Sequence, residues 1–353
     1  KGLVRRDVVR VITPGTYWEG AEDTSFNYMA VVYSSEGNGT FGESLGLCAC
    51  DLSTGEILLN SFESNLLDSG KTDTQDNLID ELARLLPKEC VLPQSLKDSN
   101  LSKRISRSLP GVFLSFQSDG KFQDVDYGGS VRAKWDLNEI SSSALGAVSG
   151  LLAYIESTQM IDLSHLKKPS FHVKNTFVEI DHSTRRNLEL TQRLQGGTHG
   201  SLAWVLDKCS TSMGSRLLKK WVERPLQEPG EIEKRLSAVD EIRKNAVLRF
   251  NVANGLKGIK DMERLVTRIA FKTCNARDLI SIAASLEKIP LLKKELAACD
   301  ADMLKEILAK LDEIPEAVKA IRDTIVDEPP ISVSDGGIIR PGFSESIDNL
   351  RKL

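Results

Sequence analysis

The sequence has 353 residues, of which 41% are hydrophobic and 27% are charged, an ordinary composition for a globular protein of two or three domains. The formal net charge of -4 excludes a global positive field that would attract nucleic acid, although it does not exclude a local basic patch. No apolar run in the sequence approaches the roughly 18 residues that a membrane span requires.

The first third of the chain predicts a mixed α/β sheet of about five strands. The predicted strands of the sheet are "YMAVVYS", "SLGLCACDL", "ILLNSF", "CVLP" and "GVFLSF", and a separate strand is predicted ahead of them at residues 3–11. A loop rich in Gly, Asn and Ser at residues 34–43 separates two of them, and Asp51, Ser53 and Gly55 predict a hairpin turn. "TQDNLIDELARLL" and "LSKRISRSL" predict helices between the later strands.

From residue 141 onward the pattern predicts helices almost throughout, with "FVEI" at 177–180 as one strand-like interruption. "ALGAVSGLLAYIESTQ" has small residues on one face, which favours close packing of this helix. Ile232, Leu236, Val239 and Ile242 recur at helical spacing and predict an apolar stripe. Long helices with many charges and few aromatic residues suit a lever or scaffold.

The cysteines and histidines do not predict a metal site. Cys48 and Cys50 fit one face of a strand, and the four histidines lack HxxxH or HExxH spacing. Without a secretory signal, the six scattered cysteines are expected to be reduced in the cytoplasm. The sequence pattern predicts that the chain is a fragment of a longer protein. The predicted first strand begins at residue 3, and the predicted last helix has no Gly or Pro stop signal.

"GIIRPGFS" at 337–344 has the glycine spacing of a phosphate loop. Phe343 stands where such a loop needs a lysine, so a structural turn is the preferred interpretation.

Phe-x-Glu, a pair that can wedge into DNA, begins at Phe41, Phe177 and Phe343. Phe41 is expected in an exposed loop and Phe177 in a buried strand. Three pairs in a chain of this length favour chance occurrence.

Asp51, with Asp73, Asp76 or Glu81, is a candidate for a Mg²⁺-dependent nuclease site on the sheet. The competing interpretation is that the Asp51 side chain caps the tight turn "DLSTGE". No catalytic set of Ser, His and Asp or of Cys and His is recognisable, so no catalytic residue is predicted.

"DHSTRRNLEL" at 181–190 predicts a helix capped by Asp181 through the N–H of Ser183 or Thr184. Arg185 and Arg186 point to different sides and oppose the helix dipole, so carboxylates or DNA phosphates are expected to compensate for them. Ion pairs between helices are the preferred interpretation.

"IDHSTRRNLELTQRLQGG" followed by "SLAWVLDKCSTSMGSRLLKKWVERPL" resembles the core, or lever, domain of the bacterial MutS DNA mismatch-repair family. "IKDMERLVTRIAFKTCNARDL" and "IVDEPPISVSDGGIIRPGFSESIDNLRKL" are similar to later stretches of that lever. "VVRVITPGT" resembles the exit from the mismatch-binding domain, and "NYMAVVY…CACDLSTGEI" resembles the connector domain. "LLAYIESTQMIDLSHL" resembles the bridge from connector to lever.

The resemblance implies three segments. Residues 1–14 leave a mismatch-binding domain, 15–157 form a ribonuclease H-like connector, and 158–353 form a helical lever truncated before the clamp. The positions that match the family's interdomain signature are Asp181, Thr184, Arg185, Arg186, Asn187, Glu189, Gly214, Arg216, Pro225, Asp261, Arg264 and Arg277. The loop at 34–43 looks longer than the family's.

The resemblance further implies that the full-length protein binds mismatched double-stranded DNA, forms a homodimer and meets MutL at the connector. ATP and Mg are implied for an ATPase domain outside this chain. The chain itself is expected to hold neither a cofactor nor a catalytic site. A ribonuclease H-like nuclease fused to a helical scaffold is the alternative.

Overall fold

The computed structural model describes residues 10–17, 25–35, 41–65, 74–123, 135, 137, 140–159, 166–171 and 176–351. The chain forms two compact units. Lys1–Lys174 and Ile180–Leu188 form the sheet unit, and Asn175–Glu179 and Glu189–Leu353 form the helical unit. Residues 170–171 pair with the sheet and belong to the sheet unit, and the segment bounds 1–14, 15–157 and 158–353 stay predictions.

The sheet unit contains a mixed six-stranded sheet. Its strands are β1 (Tyr28–Ser35), β2 (Phe41–Asp51), β3 (Glu56–Asn65), β4 (Glu89–Pro93), β5 (Phe113–Gln117) and β6 (Ser170–Phe171). Their order is β5-β4-β1-β2-β3-β6. The first three strands form antiparallel pairs, whereas β4, β5 and β6 each lie parallel to a neighbour. The predicted mixed sheet is confirmed, with β6 as an additional short edge strand.

The predicted turn between β2 and β3 is confirmed. Asp51 is fully buried, and its Oδ1 accepts hydrogen bonds from Ser53 N at 2.8 Å and Ser53 Oγ at 2.6 Å. Gly55 closes the turn with a φ of 69°, in the left-handed region that favours glycine. The Asp51 carboxylate therefore holds the hairpin together.

Helices cover both faces of the sheet. Within the described residues they are α1 (Thr74–Leu85), α2 (Asn100–Ser108), α3 (Gly120–Gln123) and α4 (Ser142–Gln159). Leu78, Leu82, Leu101 and Ile105 from α1 and α2 pack with Leu47 and other sheet residues into one core. On the α4 side the approach is close, since a Cβ on Gly46 of β2 would lie 2.0 Å from the Ser143 carbonyl oxygen. The small residues predicted on this helix therefore allow it to lie directly on the sheet.

Short and medium helices build the rest of the chain. They are α5 (His182–Asn187, in the sheet unit), α6 (Leu202–Leu206), α7 (Ser212–Glu223), α8 (Pro229–Lys244), α9 (Ala246–Leu256), α10 (Met262–Ala270), α11 (Ala276–Leu286), α12 (Ile289–Leu296), α13 (Asp302–Lys310), α14 (Pro315–Thr324) and α15 (Glu345–Arg351). Side chains of Ser201, Thr211, Asn245, Asp261 and Asn275 accept backbone N–H groups at helix starts. None of the described helices combines the length and apolar composition needed to cross a membrane.

Some expectations differ from the structure. "FVEI" makes a single bridge, Phe177 to Leu226, instead of a strand. Leu236 and Val239, predicted to face a core, are 54% and 59% exposed, while Ala238 is the buried residue of that helix. Periodicity identified the helix, but it could not identify the face that is covered.

Around the first hairpin the predictions also need adjustment. Phe41 begins β2 and is not in a loop, because the β2–β3 ladder extends to the Phe41–Asn65 pair. The middle of the predicted long loop, residues 36–40, and most of the predicted strand at 3–11 lie outside the described residues.

Candidate functional site in the helical unit

Arg216 forms the centre of a buried charged cluster. Its side chain is 1% exposed, and its Nη1 lies 2.5 Å from Asp261 Oδ2. Its Nη2 donates to Asp261 Oδ1 at 2.9 Å and to Glu263 Oε2 at 2.7 Å. Burial lowers the pKa of the guanidinium, but the hydrogen bonds and charges of Asp261 and Glu263 outweigh this effect and raise the pKa above its usual range. Arg216 is therefore a permanent cation.

The same carboxylate organises the helix that follows it. Asp261 is the N-cap of α10, and its side chain accepts the backbone N–H of Arg264 at 3.4 Å. The Arg264 side chain is also buried, with Nε 3.7 Å from Asp261 Oδ2. Asp261 thus joins α7, through Arg216, to the first turn of α10. The predicted residues Arg216, Asp261 and Arg264 come together, and Glu263, which was not predicted, completes the cluster.

Gly214 lies at the start of the helix that carries Arg216. Its N–H donates to Thr211 Oγ1 at 3.2 Å, which caps α7. One residue further, Ser215 Oγ donates to Asp207 Oδ1 at 3.0 Å. These contacts fix the first turn of α7 and therefore the direction in which Arg216 enters the cluster.

The segment 181–189 holds the largest group of predicted site residues and lies where the chain passes from one unit to the other. Asp181 caps α5 as predicted, accepting Thr184 N at 2.5 Å and Ser183 Oγ at 3.1 Å. The hydrogen bond from the Thr184 backbone lowers the pKa of the Asp181 carboxyl. Arg185 is half-buried and donates from Nη2 to the Ile180 carbonyl at 3.1 Å. This part of the segment stabilises its own helix start.

At the end of that segment the backbone turns at Glu189. Arg186 and Asn187 are exposed. Leu188 belongs to the sheet unit and Glu189 to the helical unit. Glu189 has a φ of 46°, and its carboxylate accepts Leu194 N at 2.7 Å. A left-handed non-glycine residue whose side chain accepts a hydrogen bond indicates a fixed local turn at Glu189.

Pro225 and Arg277 lie in separate contacts. The Pro225 carbonyl accepts Val178 N at 2.9 Å, next to the Phe177 bridge. Arg277 Nε donates to the Pro329 carbonyl at 2.8 Å. Both residues tie remote segments of the helical unit together.

Further ion pairs link separate segments of this unit. Arg268 pairs with Asp278 at 3.0 Å, and Arg322 makes two hydrogen bonds of 2.8 Å to Glu287. Arg340 donates to Asp327 at 3.0 Å. The partners are separated by ten or more residues, so local sequence patterns could not identify them. Ion pairs between helices are therefore present at Arg268–Asp278 and Arg322–Glu287, and those expected for Arg185 and Arg186 stay a prediction.

The glycines of the candidate phosphate loop serve a turn. Gly337 and Gly342 have φ values of 70° and 85°, and Gly342 N donates to Asp348 Oδ2 at 2.7 Å. Ile339 bridges to Ile325, which closes the segment into a hairpin-like turn. An acidic side chain at this N–H opposes phosphate binding. Among the described residues, no group of His, Cys, Asp or Glu has metal-binding geometry.

The family models for MutS domain II and MutS domain III match residues 27–167 and 183–351. The DNA mismatch repair protein MutS of Clostridium tetani is 35% identical over 99% of this chain, which covers 38% of that protein. The MutS proteins of Pelotomaculum thermopropionicum and Methanosarcina mazei are 36% and 37% identical over the whole chain, which covers 40% of each.

The chain belongs to the MutS family and carries its domains II and III. It spans about two fifths of the length of these curated relatives, 38% to 40%.

Proposed function

We propose that this chain is the connector and the first part of the lever of a MutS-type mismatch-recognition ATPase. In the full-length protein it couples the mismatch-binding, clamp and ATPase domains, and the connector offers a docking surface for MutL. The full-length protein acts in the cytoplasm as a homodimer that binds mismatched double-stranded DNA and ATP with Mg. Taken alone, the chain neither hydrolyses ATP nor binds mismatched DNA tightly.

The observation that carries this proposal is the contact of the buried Arg216 with the nearly buried Asp261 and the partly exposed Glu263. It joins two helices whose residues are 45 and 47 positions apart. Removing one member of such a cluster leaves an uncompensated buried charge, so the helices resist independent movement. A helical body that moves as one piece can transmit a change of nucleotide state to a distant DNA-binding segment.

The sheet unit supports the connector assignment and its ribonuclease H-like fold. Three consecutive antiparallel strands are followed by two strands that extend the sheet in parallel on the side of β1. The nuclease alternative receives no support from Asp51, whose buried carboxylate accepts hydrogen bonds from Asn27 N and Ser53. Asp76 and Glu81 are paired with Arg104 and Arg84, and Asp73 lies outside the described residues.

Arg216→Leu in the full-length protein tests the coupling role. We expect nucleotide-free affinity for a G·T mismatch duplex to stay within about twofold, and ATP-triggered release from the mismatch to slow by at least about tenfold, a difference of about 1.4 kcal/mol. Arg243→Leu, in an exposed pair with Asp240, is the matched control. Unchanged release kinetics in a folded Arg216→Leu protein would contradict the proposal.

The isolated chain supplies a second test. We expect fluorescence anisotropy to detect no preference for a G·T duplex over a matched duplex, and a phosphate-release assay to detect no ATP hydrolysis. Nanomolar, mismatch-specific binding by this chain would overturn the proposed division of labour.

A further inference from the structure

The outer edge of β5 is open in the part of the chain that the structure describes. β5 ends the sheet on its side, with β4 as its neighbour. Phe113 N donates to the Lys88 carbonyl at 3.1 Å, so Phe113 faces β4. Because successive backbone groups of a strand alternate in direction, the N–H and C=O of Leu114 and Phe116 point away from β4. These groups can hydrogen-bond an added extended chain.

Protections that commonly block edge pairing are absent from this strand. Proteins protect edges with charged side chains, prolines, bulges or very short strands. The sequence of β5 is "FLSFQ", without charge or proline, and all five residues keep a regular register with β4. On the opposite side, β6 pairs only with Leu58 and Leu59 of β3, and the rest of β3 carries the charged residues Glu56 and Glu63. The two edges therefore differ in their capacity to accept a further strand.

The strand is held firmly in place and presents an apolar side chain. Leu114 and Phe116 pack against the core beneath α1 and α2, and Ser115 donates to buried Glu89 on the other face. Phe113 is 55% exposed. An added strand would therefore hydrogen-bond to a backbone that is already ordered, and it could pack one side chain against Phe113. Binding would cost little conformational entropy of β5.

The surroundings of β5 are basic although the whole chain has a net charge of -4. Residues 86–123 contain six basic and three acidic residues; of these, Arg104 is already paired with Asp76 and Glu89 is buried. Lys88, Lys103 and Arg107 are exposed, and Lys88 adjoins the end of β5 at which Phe113 lies. This local charge favours an acidic occupant and opposes a basic one.

We infer that the β5 edge binds an extended, acidic segment of a partner protein, which adds a strand to the sheet and places an apolar side chain beside Phe113. Main-chain hydrogen bonds to Leu114 and Phe116 supply affinity, and the basic residues select the acidic sequence. This surface is independent of the coupling role proposed for the helical unit, and each can fail without the other.

Selection from a randomised phage-displayed peptide library on the 353-residue chain tests the inference. We expect enriched peptides to alternate apolar residues with Asp or Glu. Phe113→Glu and Arg107→Glu should each weaken these peptides at least tenfold, and Phe113→Lys, which removes the same ring, should weaken them less. Arg243→Glu, on the helical unit, is the control and should change nothing.

Hydrogen exchange gives the site-specific measurement. A bound peptide should slow exchange at the Leu114 and Phe116 amides, and it should affect the Phe113 amide less because that amide is already bonded to β4. Failure to enrich any peptide, or enrichment of peptides insensitive to Phe113→Glu, would overturn the inference. Concentration-dependent dimerisation abolished by Phe113→Glu would also overturn it, because the occupant would then be a second copy.

Discussion

Gly15 lies so close to Glu89 that no larger side chain fits between them. Gly15 N donates to Glu89 Oε2 at 2.9 Å, and a Cβ on Gly15 would lie 2.8 Å from Glu89 Cβ. Thr13 Oγ1 and the Tyr154 hydroxyl donate to the same fully buried carboxylate at 2.6 and 2.5 Å. Burial and the hydrogen bond to Glu89 raise the pKa of Tyr154 to about 12. Residues 13–16 of the sheet unit are therefore fixed to β4 through the Glu89 carboxylate.

Gly15→Ala should destabilise the sheet unit. The added methyl meets Glu89 and Met29 Cβ atoms at 2.8 and 2.9 Å, and overpacking of this kind costs about 1–3 kcal/mol. Urea denaturation followed by circular dichroism measures the loss. Gly111→Ala is the matched control, since a Cβ there meets nothing within 4 Å, and it should change stability by less than about 0.5 kcal/mol. Equal stability of the two variants would show that residues 13–16 shift to accommodate the added methyl group without loss of stability.

Arg216→Leu should destabilise the helical unit by about 3–5 kcal/mol, because it leaves Asp261 and Glu263 without their buried cation. Arg243→Leu removes a side chain that is 69% exposed from a surface pair and should cost less than about 1 kcal/mol. Urea unfolding of the two variants at neutral pH gives the comparison. A loss below 1 kcal/mol for Arg216→Leu would mean that the carboxylates find solvent or other cations.

The Arg322–Glu287 pair should contribute stability that depends on pH. The hydrogen bonds from Arg322 lower the pKa of Glu287 below its usual value of 4.5. A carboxyl with a lowered folded-state pKa stabilises the protein above its unfolded pKa, and the contribution disappears as pH falls through the folded pKa. Arg322→Gln should therefore cost at most about 1 kcal/mol at pH 7, since the pair is partly exposed, and less at pH 3. Urea midpoints of both proteins at the two pH values measure this change; a constant difference would exclude the mechanism.

Sequence patterns identified the helices and strands of this protein better than the tertiary contacts between them. Alternation and turn residues identified strands β1 to β5 and the Asp51 turn, because both depend on neighbouring residues. Family resemblance selected Arg216, Asp261 and Arg264, and the structure brings them together.

The contacts that sequence could not predict depend on tertiary structure. In the sequence, Glu263 is an ordinary acidic residue at the start of a helix. Its hydrogen bond with Arg216, 47 positions away, exists only in the folded chain. Glu89, inside the short strand "ECVLP", gives no local sign that it accepts four donors. Leu236 and Val239 follow helical periodicity but remain exposed, because periodicity does not state which neighbour covers a face.

Arg185→Ala and Arg186→Ala should separate the two arginines of the crossing segment. Arg185 is half-buried and donates to the Ile180 carbonyl at 3.1 Å, so its loss should cost about 1.5 kcal/mol, the lower range for a hydrogen bond to a charged group. Arg186 is exposed, and its loss should stay within about 0.5 kcal/mol. Thermal and urea unfolding of the chain without DNA measure both. If neither variant is destabilised and each weakens DNA binding of the full-length protein, the arginines contact phosphate and the structural assignment of Arg185 is wrong. If Arg185→Ala alone is destabilised, Asp181 and Arg185 together hold the start of α5, and Arg186 remains available to a partner.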